Sequence, residues 1–147
     1  MNTTESAKVM LEPSFHHVGY VVRSIAEIGR DFAASIGATW DGEIIHDPLQ
    51  EARVTFLRVG GPLTPAVELV EPAGESSPLV KFLSRGGGLH HICYEVDALE
   101  PQLAESRSRG CLIVKEPLPA VAFAGRRIAW VYTPHKLLVE YLERQVL

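Results

Sequence analysis

Two histidines and two glutamates recur at matching places in this 147-residue chain, and as a set they could hold a divalent metal ion. The run Phe15-His16-His17-Val18-Gly19-Tyr20-Val21-Val22 returns as Leu89-His90-His91-Ile92-Cys93-Tyr94-Glu95-Val96, 74 positions later (91 − 17). Val67-Glu68-Leu69-Val70-Glu71 returns as Val139-Glu140-Tyr141-Leu142-Glu143, 72 positions later (140 − 68). A pseudo-symmetric metal site between two copies of one module requires such a repeat. Two imidazoles and two carboxylates form a mixed nitrogen and oxygen set that suits zinc, cobalt, nickel, manganese or iron without choosing among them.

These residues fall on segments that read as strands, where side chains alternate between faces. His17 shares a face with Gly19 and Val21, and His91 with Cys93 and Glu95, small or polar residues suited to lining a cavity. His16 falls with Val18, Tyr20 and Val22, and His90 with Ile92, Tyr94 and Val96. That apolar face is expected to pack beneath helices, leaving His16 and His90 in structural or supporting positions. On the closing strands, Val67, Leu69, Val139 and Tyr141 take the core face, and Glu68 and Glu140 the other. A lone strand histidine is ordinarily a core residue and a lone strand glutamate an edge charge. Four positions that keep both residue type and facing argue for metal binding.

The elements that must position this set form two modules, residues 15–71 and 89–143, inside a single domain spanning 1–147. In the first, a strand over Phe15–Val22 leads to Ser24 as N-cap and a helix carrying Ile25, Ile28, Phe32 and Ile36, closed by Gly37. Strand-like segments follow at Thr39–Ile45, Arg53–Val59 and Ala66–Val70. In the second, Leu89–Val96 leads to Asp97 as candidate cap, then a helix through Leu99 and Leu103 ending near Gly110, with Pro101 tolerated in its first turn. Strands are expected at Leu112–Lys115, Arg127–Tyr132 and Leu137–Leu142. Each module is therefore βαβββ, an α+β architecture. A short helix over Pro78–Ser84 and the connector Gly86-Gly87-Gly88 join them.

Composition narrows the function. Apolar residues make up 46% and charged residues 22%, with a net charge of −4, so no basic surplus points to nucleic acid or an anionic membrane. No apolar run reaches the roughly 18 residues needed to span a bilayer. The polar start, Met1 to Ala7, reads as a loose tail, and a cytoplasmic location is expected. Cys93 and Cys111 are expected to be free, buried thiols. Trp40, Phe56 and Trp130 are expected to fill core or cavity wall.

Paired βαβββ modules with ligands on their first and last strands resemble the vicinal oxygen chelate (glyoxalase/bleomycin resistance/dioxygenase) superfamily. The segment Val67-Glu68-Leu69-Val70-Glu71-Pro72, then Ser77-Pro78-Leu79-Val80-Lys81-Phe82-Leu83 and Gly87-Gly88-Leu89-His90-His91-Ile92, is most similar to its methylmalonyl-CoA epimerase branch. The resemblance implies a glyoxalase-like fold, a cupped mixed sheet around a metal site, with His17, Glu68, His91 and Glu140 as ligands. It implies an isomerase that exchanges the proton α to a carbonyl of an acyl-CoA or other thioester through an enolate. Glu51 and Glu140 are then the acid/base pair, and a homodimer is the expected assembly. Arg53 in place of a glycine, and Gly125-Arg126-Arg127-Ile128-Ala129-Trp130, depart from that branch's pattern. Arg126 and Arg127 could bind a substrate carboxylate or phosphate, or form a solvated hairpin tip. The same ligand set would serve a glyoxalase I-type lyase, and the same fold a metal-free small-molecule binding protein.

Overall fold

The structure, a computed structural model, describes residues 12–145; the expected tail at Met1 to Ala7 lies outside them. The elements are β1 (Ser14–Val21), α1 (Ile25–Ser35), β2 (Ile45–Asp47), β3 (Ala52–Arg58), β4 (Ala66–Pro72), α2 (Leu79–Ser84), β5 (Gly88–Val96), α3 (Leu99–Ser108), β6 (Leu112–Pro119), a 3-10 turn (Val121–Phe123), β7 (Arg127–Tyr132) and β8 (Leu138–Glu143). The eight strands form one mixed sheet in the order β2-β3-β4-β1-β5-β8-β7-β6. Read from its centre outward, this order is the same in both halves. β1 pairs parallel with β4, β5 pairs parallel with β8, and the halves meet through antiparallel β1 and β5. The fold is the cupped α+β sheet expected for a glyoxalase-like protein. Among the described residues no helix is long and apolar enough to cross a membrane.

The helices α1 and α3 cover the convex face. Val22, Ile25, Ala33, Leu57 and Leu69 are buried together under α1. Val96, Leu99, Leu103, Ala129, Val131 and Val139 are their counterparts under α3. Each helix start is held by the last glutamate of its own module. The Ile25 N–H donates to Glu71 Oε2 at 2.8 Å, and the Leu99 N–H donates to Glu143 Oε2 at 3.1 Å. A carboxylate there also meets the positive end of the helix dipole. Ser24 caps α1 as expected, its hydroxyl accepting the Glu27 N–H. Asp97 does not cap α3. Its carboxylate instead accepts from Arg144 at 2.8 Å, and Ala98 occupies the cap position.

Two further expectations change. The strand expected over Thr39–Ile45 shrinks to a bridge at Thr39 and the three-residue β2, because Asp41 and Gly42 turn the chain. The alternation that placed His16 and His90 beneath the helices fails at both residues. In the β1–β5 register, Phe15 faces Tyr94 and His17 faces Cys93, while His91 faces Gly19 and Leu89 faces Tyr20, so His16 and His90 are the extra residues of two bulges. A bulge breaks the two-residue period and turns both rings toward their histidine neighbours.

The ends of the sheet are stitched together on the concave side. Asp47, at the end of β2, accepts the N–H groups of Leu49 and Gln50 on Oδ1 and the Val121 N–H on Oδ2 at 2.8 Å. Lys115 on β6 donates to the Leu49 carbonyl at 3.0 Å and to Gln50 Oε1 at 3.2 Å. These contacts curl the outer strands toward each other and close the cup. Gly87 lets the linker pass close to β1: its φ is +68°, and a Cβ there would stand 2.8 Å from the Val21 carbonyl oxygen. Cys93 and Cys111 are free thiols, Cys93 buried and Cys111 partly so.

Candidate metal centre

His17 on β1, Glu68 on β4, His91 on β5 and Glu140 on β8 meet at the centre of the cup. All four are buried, at 0%, 4%, 5% and 3% exposure. His17 Nε2 lies 3.2 Å from His91 Nε2, 3.6 Å from Glu68 Oε1 and 3.1 Å from Glu140 Oε1. His91 Nε2 lies 3.4 Å from Glu68 Oε1 and 3.8 Å from Glu140 Oε1. Register explains the convergence: Gly19 stands between Glu68 and His91 on its two neighbouring strands, and Cys93 between His17 and Glu140.

The residues fit a divalent ion. Ligand atoms about 2.0–2.2 Å from a tetrahedral ion lie about 3.3–3.6 Å apart, close to the separations here. Glu140 Oε1 is buried with no hydrogen bond among the described residues, an expensive state for a carboxylate oxygen that a cation would relieve. His17, Glu68 and His91 each offer a ligand atom within 4.8 Å of the others.

Electrostatics agree. Burial alone would lower the His17 pKa, but Glu68 and Glu140 outweigh it and hold the imidazole above its ordinary value. Burial would raise Glu140, yet His17 and His91 beside it keep the carboxylate below its usual range. The site thus favours the ionised form of Glu140 and draws positive charge to its centre. Cys93 also lies near His17, but burial and Glu140 push its thiol well above the ordinary value, so it stays protonated and a poor ligand.

Behind each histidine stands its sequence neighbour. His16 Nδ1 lies 2.8 Å from His17 Nδ1, and His90 Nδ1 lies 2.8 Å from His91 Nδ1. Burial and His91 lower the His90 pKa to about 4, so its ring is neutral at pH 7. Burial and His17 likewise lower His16. Each can accept a hydrogen bond from the Nδ1–H of its partner and so aim the partner's Nε2 inward.

The centre opens into a cavity of about 360 Å³, walled by apolar side chains including Ala52, Val54, Val70, Leu79, Phe123 and Trp130. Trp130 also packs edge-on against His91, its ring 4.6 Å away, and Phe56 against His17 at 5.7 Å. Trp40 is elsewhere, its indole donating to Thr55. Glu51 is not among the cavity-lining residues, although its neighbours Gln50 and Ala52 are. With φ +52°, it turns outward and its carboxylate accepts the Ser76 hydroxyl at 2.7 Å. Arg127 is taken up by Glu100 and Glu143, at 2.7 Å from each, which raises its pKa further. Arg126 pairs with Glu95 at 3.4 Å and lies over the Phe123 ring, in a separate cleft beside His16.

The model of the glyoxalase/bleomycin resistance protein/dioxygenase superfamily matches residues 16–130. The chain belongs to that superfamily. It is 28% identical over 123 residues to an ethylmalonyl-CoA/methylmalonyl-CoA epimerase of Cereibacter sphaeroides, covering 80% of this chain and 86% of that one. It is 29% identical over 103 residues to the mitochondrial methylmalonyl-CoA epimerase of Bos taurus, covering 69% of this chain but only 57% of the bovine one. A solved methylmalonyl-CoA epimerase from Mycobacterium tuberculosis superposes with a TM-score of 0.77 at 25% identity, over 90% of this chain and 89% of that one.

In this member of the superfamily, three features of the site and of the helices around it are not legible from spacing alone. The paired His-His doublets were visible, but not the bulges that turn their first members toward the site. Glu71 and Glu143 stood in the repeated motif without a role. Gly19, where the second copy has Cys93, was the signal for a close approach of His91.

Proposed function

We propose that this protein is a metal-dependent isomerase that exchanges the proton α to a carbonyl of an acyl thioester, as an epimerase of the methylmalonyl-CoA type does. The observation that carries this reading is the convergence of two imidazole nitrogens and two carboxylates, with Glu140 Oε1 otherwise unsatisfied, at the base of an apolar cavity. The similarity to named epimerases adds weight at modest identity. His17, Glu68, His91 and Glu140 would hold the ion. When bound, a divalent ion supplies Lewis-acid stabilisation of negative charge growing on substrate oxygens.

The chain's own groups account for the rest. The apolar walls, Phe123 and Trp130 among them, exclude water from a carbanion-like intermediate. Glu140, kept ionised by its imidazole neighbours, carries the proton on one side. Inversion needs a second carrier on the other side. Asp47 lines the cavity but is spent on three backbone N–H groups. In this reading Glu51 is the second carrier, and its bond to Ser76 must open for it to act. A homodimer belongs to the same proposal and is checked by light scattering.

A glyoxalase I-type lyase is the second reading. One observation favours it: among the described cavity-lining residues, no carboxylate stands free besides the four-residue set and the saturated Asp47, which suits proton transfer on one face. The deciding experiment begins with elemental analysis of protein purified without chelator, beside His91→Ala. About one equivalent of divalent metal, lost in the variant, is expected. Deuterium uptake at C2 of methylmalonyl-CoA then favours the epimerase; turnover of a glutathione hemithioacetal without such uptake favours the lyase. Metal-free protein that takes up neither cobalt nor zinc returns the fold to a binding role.

A further inference from the structure

One polar patch interrupts the apolar wall of the cavity, away from the metal set. Gln50, in the β2–β3 turn, and Lys115, on β6, both line the cavity and meet across the closure of the cup. Gln50 Oε1 accepts from Lys115 Nζ, which leaves the Gln50 amide nitrogen buried with no acceptor among the described residues. Lys115 Nζ reaches only neutral oxygens, those of Leu49 and Gln50, in its described hydrogen bonds. A buried amide donor and an ammonium held side by side, with no carboxylate in those bonds, form a receptor for an oxyanion.

Register fixes its position relative to the metal set. Lys115 faces Trp130 across β6 and β7, and Trp130 faces Glu140 across β7 and β8. Lys115 is therefore two strands from Glu140 in one row, about 10 Å between backbones. Both side chains point into the cavity, so a compact molecule can touch both ends.

We infer that Gln50 and Lys115 form a carboxylate-binding clamp that selects substrates carrying a free carboxylate at the end of the acyl part remote from the metal set. The inference rests on the cavity being a substrate site, as proposed above, and adds a selection rule for acyl groups.

The test is calorimetric titration of the metal-loaded protein with glutarate and with butyrate, which differ by the second carboxylate. Glutarate is expected to bind at least about tenfold tighter than butyrate, as for one charge-assisted contact. Lys115→Met should abolish that preference, so that the two acids bind alike; Gln50→Leu should weaken it, and Lys115→Arg should retain it. A Lys115→Met protein that melts lower but keeps the preference would assign Lys115 to sheet closure alone and overturn the clamp. Equal binding of the two acids by the wild type, or tighter binding of inorganic phosphate than of glutarate, overturns it as well. Failure of the metal reading is separate: it appears as absent metal in elemental analysis, and the glutarate preference and its loss in Lys115→Met are then read on the metal-free protein.

Discussion

Gly19 faces His91 across the β1–β5 pair, and a Cβ at Gly19 would fall inside the His91 imidazole. The glycine is a matter of space, since its neighbour's ring occupies the room a side chain would need. Gly19→Ala is expected to displace His91 and weaken metal binding by about 10–100-fold, the loss typical when a ligand's orientation is disturbed. Far-ultraviolet circular dichroism should stay unchanged while metal titration reports the loss.

The histidine doublets make a second prediction. A ligand bonded through Nε2 keeps its ring proton on Nδ1, which needs the acceptor that His90 or His16 provides. His90→Phe keeps the ring volume but removes the acceptor from His91. Metal affinity is expected to fall by about tenfold or more, measured by competition with a chromophoric chelator; unchanged affinity would show that the doublet does not orient the ligand.

Glu140 and Glu51 should separate in their effects. Glu140→Gln removes a charge from the metal set, so metal content and turnover are expected to fall together. Glu51→Gln, whose carboxylate meets Ser76 outside the cavity, should retain metal and lose turnover by about 10²–10⁴-fold if it carries a proton. Full turnover in that variant removes Glu51 from the mechanism.

Acid sensitivity is expected from the far end of β8. Arg127 beside Glu143 holds its carboxyl below the ordinary range, against burial, and the Leu99 N–H adds to the effect. A carboxylate with a depressed folded-state pKa contributes stability that is present above its unfolded value and lost as pH falls through the folded value. Arg127→Met returns Glu143 toward its unfolded value. At pH 7 the variant should melt about 2–4 °C lower, for a loss of about 1 kcal/mol, and its difference from the wild type should close as pH falls through the depressed folded-state value, where the wild type loses the stability the variant never had. Thermal melts between pH 3 and 7 check both.

Much of this architecture is legible in the residues. β7 runs from Arg127 to Tyr132 as its apolar pattern predicts, and the repeated His and Glu positions were enough to place four side chains on one face. What alternation could not supply were the bulges at His16 and His90, because a bulge is a property of the pairing between β1 and β5 and neither strand shows it alone. Ser24 caps α1 as its place in the chain predicts, but the carboxylates that also hold the two helix starts lie 46 and 44 residues away, at Glu71 and Glu143. The outward turn of Glu51 follows from its left-handed backbone and the position of Ser76, a contact between separate loops.

The symmetric strand order has a consequence for ancestry. Each half contributes one histidine and one glutamate, and the halves join through an antiparallel pair whose two bulges are equivalent under a local twofold axis. Two copies of a chain half this length, pairing through their first strands, would build the same sheet and the same four-donor centre. Duplication and fusion of such a gene would free each half to diverge without breaking the other's contribution. Gly19 and Cys93, which occupy equivalent places opposite His91 and His17, are where the two halves differ at the centre itself.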